Sequence, residues 1–157
     1  MSKSGRYSAD RKKIKALNCF GAATLAISTE AHECGTIFDC TPAGNDANEG
    51  ATITLPPVAS AGKGWWCKFV LNTAIVSDGS DVNDILIQND AGDTNDMIVG
   101  LPADAGGDGA GAADGASVTF VEGAAQAGDE VEVICLGSRW YVRAHCAVVG
   151  GVTNNNP

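Results

Sequence analysis

Apolar and polar residues alternate in short blocks along most of this chain, and turn-forming residues close each block before a helical stripe can develop. The run Ala51-Thr52-Ile53-Thr54-Leu55 has a period of two and is stopped by Pro56-Pro57. Strands are predicted in the same way over residues 24–28, 36–40, 65–71, 84–88, 96–99, 117–121, 130–136 and 139–146. Between the last two, Gly137-Ser138 is a two-residue connection with glycine first, the chemistry of a type II′ hairpin. On the final long strand Trp140, Val142 and Ala144 share one face, and Tyr141, Arg143 and His145 share the other.

These segments predict an all-β fold. The expectation is a single β-sandwich or barrel-like domain of about nine short antiparallel strands, carrying an extended N-terminal arm. The boundaries read as a basic arm over 1–17, the β-domain over 18–148 and a frayed tail over 149–157. Within the arm, the composition around residues 9–16 permits a short helical turn too brief to stand alone. Residues 59–64 read as a loop, and the Gly/Ala/Asp stretch 102–115 as a long exposed one. No βαβ rhythm and no internal repeat is visible. The chain of 157 residues is long enough to bury a core without disulfide staples.

Charge divides the chain in two. Six of its ten bases, Lys3, Arg6, Arg11, Lys12, Lys13 and Lys15, fall in the first fifteen residues against the single acid Asp10, giving +5. Residues 16–157 hold eighteen acids against four bases (Lys63, Lys68, Arg139 and Arg143), a net of −14. Such a body repels phosphate, so nucleic acid is not an expected partner, although the arm alone could meet either phosphate or an acidic protein surface. No apolar stretch is long enough to span a membrane, and none follows the basic leader as a secretory signal would require.

Candidate chemistry is sparse. Cys19, Cys34, Cys40, Cys67, Cys135 and Cys146 mostly lie in apolar runs and read as small buried hydrophobes. A Cys34–Cys40 bridge is allowed but not demanded, and His32, Cys34 and Cys40 lack the second half of a zinc site. His145 and Cys146 are adjacent on a strand and so point to opposite faces, which disfavours a nucleophile–base pair. Gly62-Lys63-Gly64 precedes a Trp-rich strand rather than a helix and reads as a turn, not a phosphate cradle. Two acidic groups, Asp78, Asp81, Asn83, Asp84 and Asp90, Asp93, Asn95, Asp96, lack calcium-loop spacing and read as solvated loop charge. In the pairs Trp65-Trp66 and Trp140-Tyr141 one member faces the core; the outward one fits a subunit contact better than a sugar site. No enzyme activity, cofactor or metal is expected.

Two stretches carry a family likeness. The first is Ala51-Thr52-Ile53-Thr54-Leu55-Pro56-Pro57 with Gly62-Lys63-Gly64-Trp65 and Lys68-Phe69-Val70. The second is Gly128-Asp129-Glu130-Val131-Glu132-Val133-Ile134 with Gly137-Ser138-Arg139-Trp140-Tyr141-Val142. Their order resembles the capsid decoration (cement) proteins of tailed bacteriophages, similar ones of which occur in marine cyanobacterial phages; the likeness covers roughly residues 36–142. The cysteine content and the 102–115 loop depart from that pattern, and similar β-modules occur in phage fibres, where they serve host-surface or glycan binding. The resemblance implies a homotrimer on the outer face of a capsid, with the arm lying across the major capsid protein. Arg6, Arg11, Lys12, Lys13 and Lys15 are then the expected capsid contacts, with Tyr7, Ile14 and Leu17 as apolar anchors. Trp65, Trp66, Phe69, Phe120, Trp140 and Val142 are the expected core and intersubunit residues.

Overall fold

A computed structural model describes residues 13–42, 50–77, 83–93, 97–100, 113–115 and 117–155. Its strands are β1 (Ile14–Cys19), β2 (Ala23–Ala26), β3 (Thr36–Pro42), β4 (Ala51–Thr54), β5 (Trp66–Leu71) and β6 (Ile85–Gln88). They continue as β7 (Met97–Gly100), β8 (Ala113–Gly115), β9 (Ser117–Phe120), β10 (Glu130–Cys135), β11 (Trp140–His145) and β12 (Val152–Asn155). A four-residue helical turn, α1 (Val58–Ala61), stands where the sequence predicts a loop.

The all-β class holds, but the sheets are mixed rather than antiparallel. One has seven strands in the order β1-β3-β5-β10-β11-β7-β8, and the other has five in the order β12-β9-β6-β4-β2. From β1 to β6 the chain alternates between the two sheets, and each new strand pairs in parallel with the one before last. Ile14 therefore lies beside Ile37 and Ile37 beside Lys68, while Ala23 lies beside Ala51 and Ala51 beside Ile85. Parallel neighbours need a long connection, most often a helix. Here a strand of the opposite sheet supplies it, which leaves no helical pattern to read. The third turn of this coil is closed by antiparallel partners, β10 on β5 and β9 on β6.

The inward faces of both sheets contribute to a single apolar cluster. From the seven-stranded sheet come Phe38, Phe69, Cys67, Val131, Val133, Trp140 and Val142; from the other come Ile53, Ile85, Ile87, Val118 and Phe120. Phe38 stacks on Phe69 with ring centroids 5.1 Å apart, and Trp65 meets Trp140 edge to face at 5.7 Å. Such ring pairs add about 0.5–1.5 kcal/mol beyond the area they bury.

The nine predicted strand segments are all present, and three strands were not foreseen. β1 replaces the helical turn that the composition permits near residues 9–16, at least for Ile14–Cys19. β12 corrects the expectation of a frayed tail, since Val152–Asn155 pairs along β9 and Val152 is buried. β8 falls at the end of the stretch read as a long loop; the part of that loop over 102–112 lies outside the described residues. The hairpin at Gly137-Ser138 forms as expected: Gly137 has φ +100°, and the Leu136 amide donates to the Arg139 carbonyl at 2.9 Å.

Candidate functional site

Strand pairing brings the outward members of both aromatic pairs into one row. Ile134 on β10 lies between Trp66 on β5 and Tyr141 on β11, and Tyr141 lies beside Ile98 on β7. All four are half-buried, and their neighbours Trp65 and Trp140 point inward. With strands ~4.8 Å apart, the Trp66 and Tyr141 backbones are separated by about 10 Å across the sheet. Trp66 lies over Gly35, whose missing side chain makes the contact: a Cβ there would stand 3.3 Å from the indole, on a backbone with φ +84°. Tyr141 leans the other way, toward Gly100.

The next row on this outer face is charged. Lys68, Glu132 and Arg143 are register partners, and Glu130 lies one pair further along β10. Lys68 Nζ is 2.8 Å from Glu130 Oε1 and 3.8 Å from Glu132 Oε2; Arg143 donates to Glu132 Oε1 at 2.6 Å. That hydrogen bond and the Glu132 charge hold the Arg143 guanidinium pKa above its ordinary value. At one end of the face Lys63 packs against Gly137, in the turn that also carries Arg139.

The described part of the arm is tied to its own body. Ile14, Lys15 and Leu17 belong to β1, the first strand of the seven-stranded sheet. Lys13 forms an ion pair with Glu33, and Lys15 Nζ donates to the Ala31 carbonyl at 2.5 Å. Ile14 is 68% exposed on the outward side, beside Ile37. Arg6, Tyr7, Arg11 and Lys12 lie outside the described residues. Of the expected core and intersubunit set, Trp65, Phe69, Phe120, Trp140 and Val142 are buried within this chain, which leaves Trp66 as the member on a surface.

The cysteines and His32 have separate local surroundings. None of the six cysteines is bridged, and Cys34 is exposed while Cys40 is buried. A hydrogen bond with Cys19, reinforced by burial, pushes the Cys40 thiol far up; burial does the same to Cys67, with a smaller contribution from Cys34. Such thiols are poor nucleophiles. His32 accepts the Ser28 amide at Nδ1 (3.2 Å) and sets its ring edge to face against Phe38, with centroids 5.2 Å apart. Burial, then the nearby Lys15 charge, lowers the His32 pKa below the usual histidine range.

Acids read as solvated loop charge have structural work where they are described. Asp93 accepts the Val58 amide at the start of α1, and Asp90 accepts the Gly92 amide within its own turn. Glu122 and the Asn83-Asp84 pair clasp each other: the Asn83 amide donates to Glu122 Oε2 (3.1 Å) and the Glu122 amide to Asp84 Oδ1 (2.7 Å). Asp78, Asp81, Asn95 and Asp96 lie outside the described residues. No group of three or more metal-ligating side chains occurs among the described residues.

One structural residue of the Gly-Asp-x-Val-Glu stretch went unread. Asp129 is buried and accepts two backbone amides, Gln126 at Oδ2 and Ala147 at Oδ1, both at 2.8 Å. It thereby joins the turn before β10 to the loop after β11. Gly128 with φ +92°, followed by aspartate ahead of an alternating strand, is the signal that could have revealed this turn.

No family model, curated protein or solved structure matches this chain.

Proposed function

We propose that this chain is a viral structural protein: a decoration protein that binds the outer surface of the major capsid protein lattice as a homotrimer and stabilises the head. The observation that carries this reading is the split of charge, +5 in residues 1–15 against −14 in the rest. The basic segment leads in sequence directly into β1, the end strand of the seven-stranded sheet. The motif resemblance supports the same reading, and the single core shared by the two sheets supports a sandwich-like body.

The arm acts as the grip and the body as the added contact. Lys13 and Lys15 are engaged with Glu33 and Ala31, so they brace the base of the arm. Arg6, Arg11 and Lys12, with Tyr7, carry the reach to the capsid. One exposed ion pair contributes about 0–1 kcal/mol. Three arms on one trimer raise the grip by roughly 10²–10⁴ over one arm through effective concentration. The acidic body keeps decorated particles apart.

Imaging of purified virions tests the reading. Density for this chain distributed over the outer lattice of the head is the expected result. Density confined to the tail would replace it with the fibre reading.

A further inference from the structure

The two halves of β1 are held differently. Leu17 and Cys19 pack into the core, whereas Ile14, Lys15 and Ala16 are all exposed. Among the described residues β1 has one partner strand, β3, whose Ile37 amide donates to the Lys13 carbonyl at 2.7 Å. Besides that pairing, the first half is fastened by the turn between β2 and β3, residues 28–35. Glu33 pairs with Lys13, and the Ala31 carbonyl accepts Lys15 Nζ at 2.5 Å. Ala31 and Glu33 are the two residues that flank His32 in the chain. His32 in turn pins the loop. Its Nδ1 accepts the Ser28 amide at 3.2 Å, its own amide donates to the Ser28 carbonyl at 2.9 Å, and Ser28 Oγ accepts the Ala31 amide at 3.2 Å. The ring also sits edge to face on Phe38 of β3.

We propose that the turn over residues 28–35 is an acid-released clasp on β1: protonation of His32 loosens it and frees residues 13–16, while Leu17 and Cys19 keep the rest of the strand in the core. An imidazole nitrogen accepts a hydrogen bond only while it carries no proton. Protonation at Nδ1 therefore takes the acceptor from the Ser28 amide and turns the new N–H toward the Ser28 carbonyl, 3.2 Å away, which already holds the His32 amide. It also sets a second cation near Lys15, the charge that reaches His32 from β1. From β3 the facing group is the uncharged Phe38 ring; the acids of the turn are Glu30 and Glu33, and Glu33 is engaged by Lys13. The lowered pKa of His32 agrees in sign: the closed clasp is fully favoured above about pH 6.5 and is lost as pH falls through the folded pKa. Exposed strand ends with few buried contacts are where local opening occurs. The freed stretch joins the basic leader to the sheet, so pH sets where the sheet begins. The clasp stands without the capsid reading.

Amide hydrogen exchange of the full chain, followed by NMR at pH 7 and pH 5 and corrected for the pH dependence of intrinsic exchange, tests the clasp. The Ser28 amide reports the pin, and the Ile37 amide reports the hold on Lys13. Protection of both is expected to fall roughly threefold or more between pH 7 and pH 5, while the β10 amides keep theirs. In His32→Asn, which offers an acceptor that does not titrate, the same amides should show no such fall. Equal protection at both pH values, a fall that persists in folded His32→Asn, or a fall shared equally by β10 overturns the proposal. Should that variant not fold, the unaltered chain decides: the His32 ring titration and the loss of Ile37 protection must share one midpoint, and separate midpoints overturn the proposal. Because capsid is absent, failure here leaves the capsid-binding test intact.

Discussion

Lys15 and Phe38 are register partners in the seven-stranded sheet, so a lysine stands in the same row as the stacked Phe38 and Phe69 rings. Leu17 and Cys19 continue that side of β1 into the core, whereas the Lys15 ammonium bends out to the Ala31 carbonyl. A charge pointing inward on an edge strand is a known means of stopping edge-to-edge pairing between molecules.

Replacing Lys15 with valine is expected to remove that protection. The gain in strand propensity and apolar burial is about 1 kcal/mol at most, while the edge becomes open to further pairing. Light scattering at increasing concentration should show large assemblies for Lys15→Val and none for Lys15→Arg.

Asp129 is expected to be among the costliest polar positions to change. Asp129→Ala leaves the part-buried Gln126 and Ala147 amides without their acceptor; a fully buried stranded donor costs about 1–3 kcal/mol, so each of these should cost toward the lower end of that range. Asp129→Asn keeps one accepting oxygen and should fall between the wild type and alanine. Urea denaturation gives the order directly, and equal stability of all three would refute the role assigned to the carboxylate.

Trp140 fills the core but its Nε1 has no hydrogen-bond partner among the described residues. Trp140→Ala is expected to cost about 3–5 kcal/mol. Trp140→Phe keeps a ring against Trp65 and removes the unpaired donor, so its cost should be well below that of alanine. Denaturant midpoints of the two variants decide the point.

His32 makes stability depend on pH. Its pKa is lowered in the folded chain, so between that value and the ordinary histidine value near 6.5 the unfolded chain holds more proton. Stability contributed by neutral His32 is therefore fully present above about pH 6.5 and declines as pH falls through the folded pKa. His32→Asn retains an acceptor for the Ser28 amide and should flatten the melting temperature between pH 7 and 5, whereas an unchanged slope would exclude His32 as its source.

Alternation with turn punctuation made the strand segments legible, because period two and Gly/Pro stops are local properties. Pairing direction is not local. Gly137-Ser138 announces a hairpin, but nothing near Ile37 says that its neighbours are Ile14 and Lys68, both in parallel. β1 was hidden by Lys15 and Asn18 and β12 by its asparagines, residues whose strand preference is weak and whose place is set by the partner strand. The candidate face was half legible. Alternation put one member of each aromatic pair outward, but that these are Trp66 and Tyr141 in a common row depends on the register of β10 between them. The clustering of Lys63, Lys68, Arg139 and Arg143 is equally a product of topology, since sixty-nine residues separate Lys68 from Gly137 in the chain.

The central claim is that the positive leader tethers the negative body to a capsid. Deletion should stop at Lys12, because Ile14 begins β1 and its loss would remove an edge strand. Co-sedimentation of capsid shells with the intact chain and with a chain lacking residues 1–12, across a series of salt concentrations, measures the tether directly. The account predicts salt-sensitive decoration by the intact chain and little by the shortened, still folded one. Equal decoration by both would contradict it.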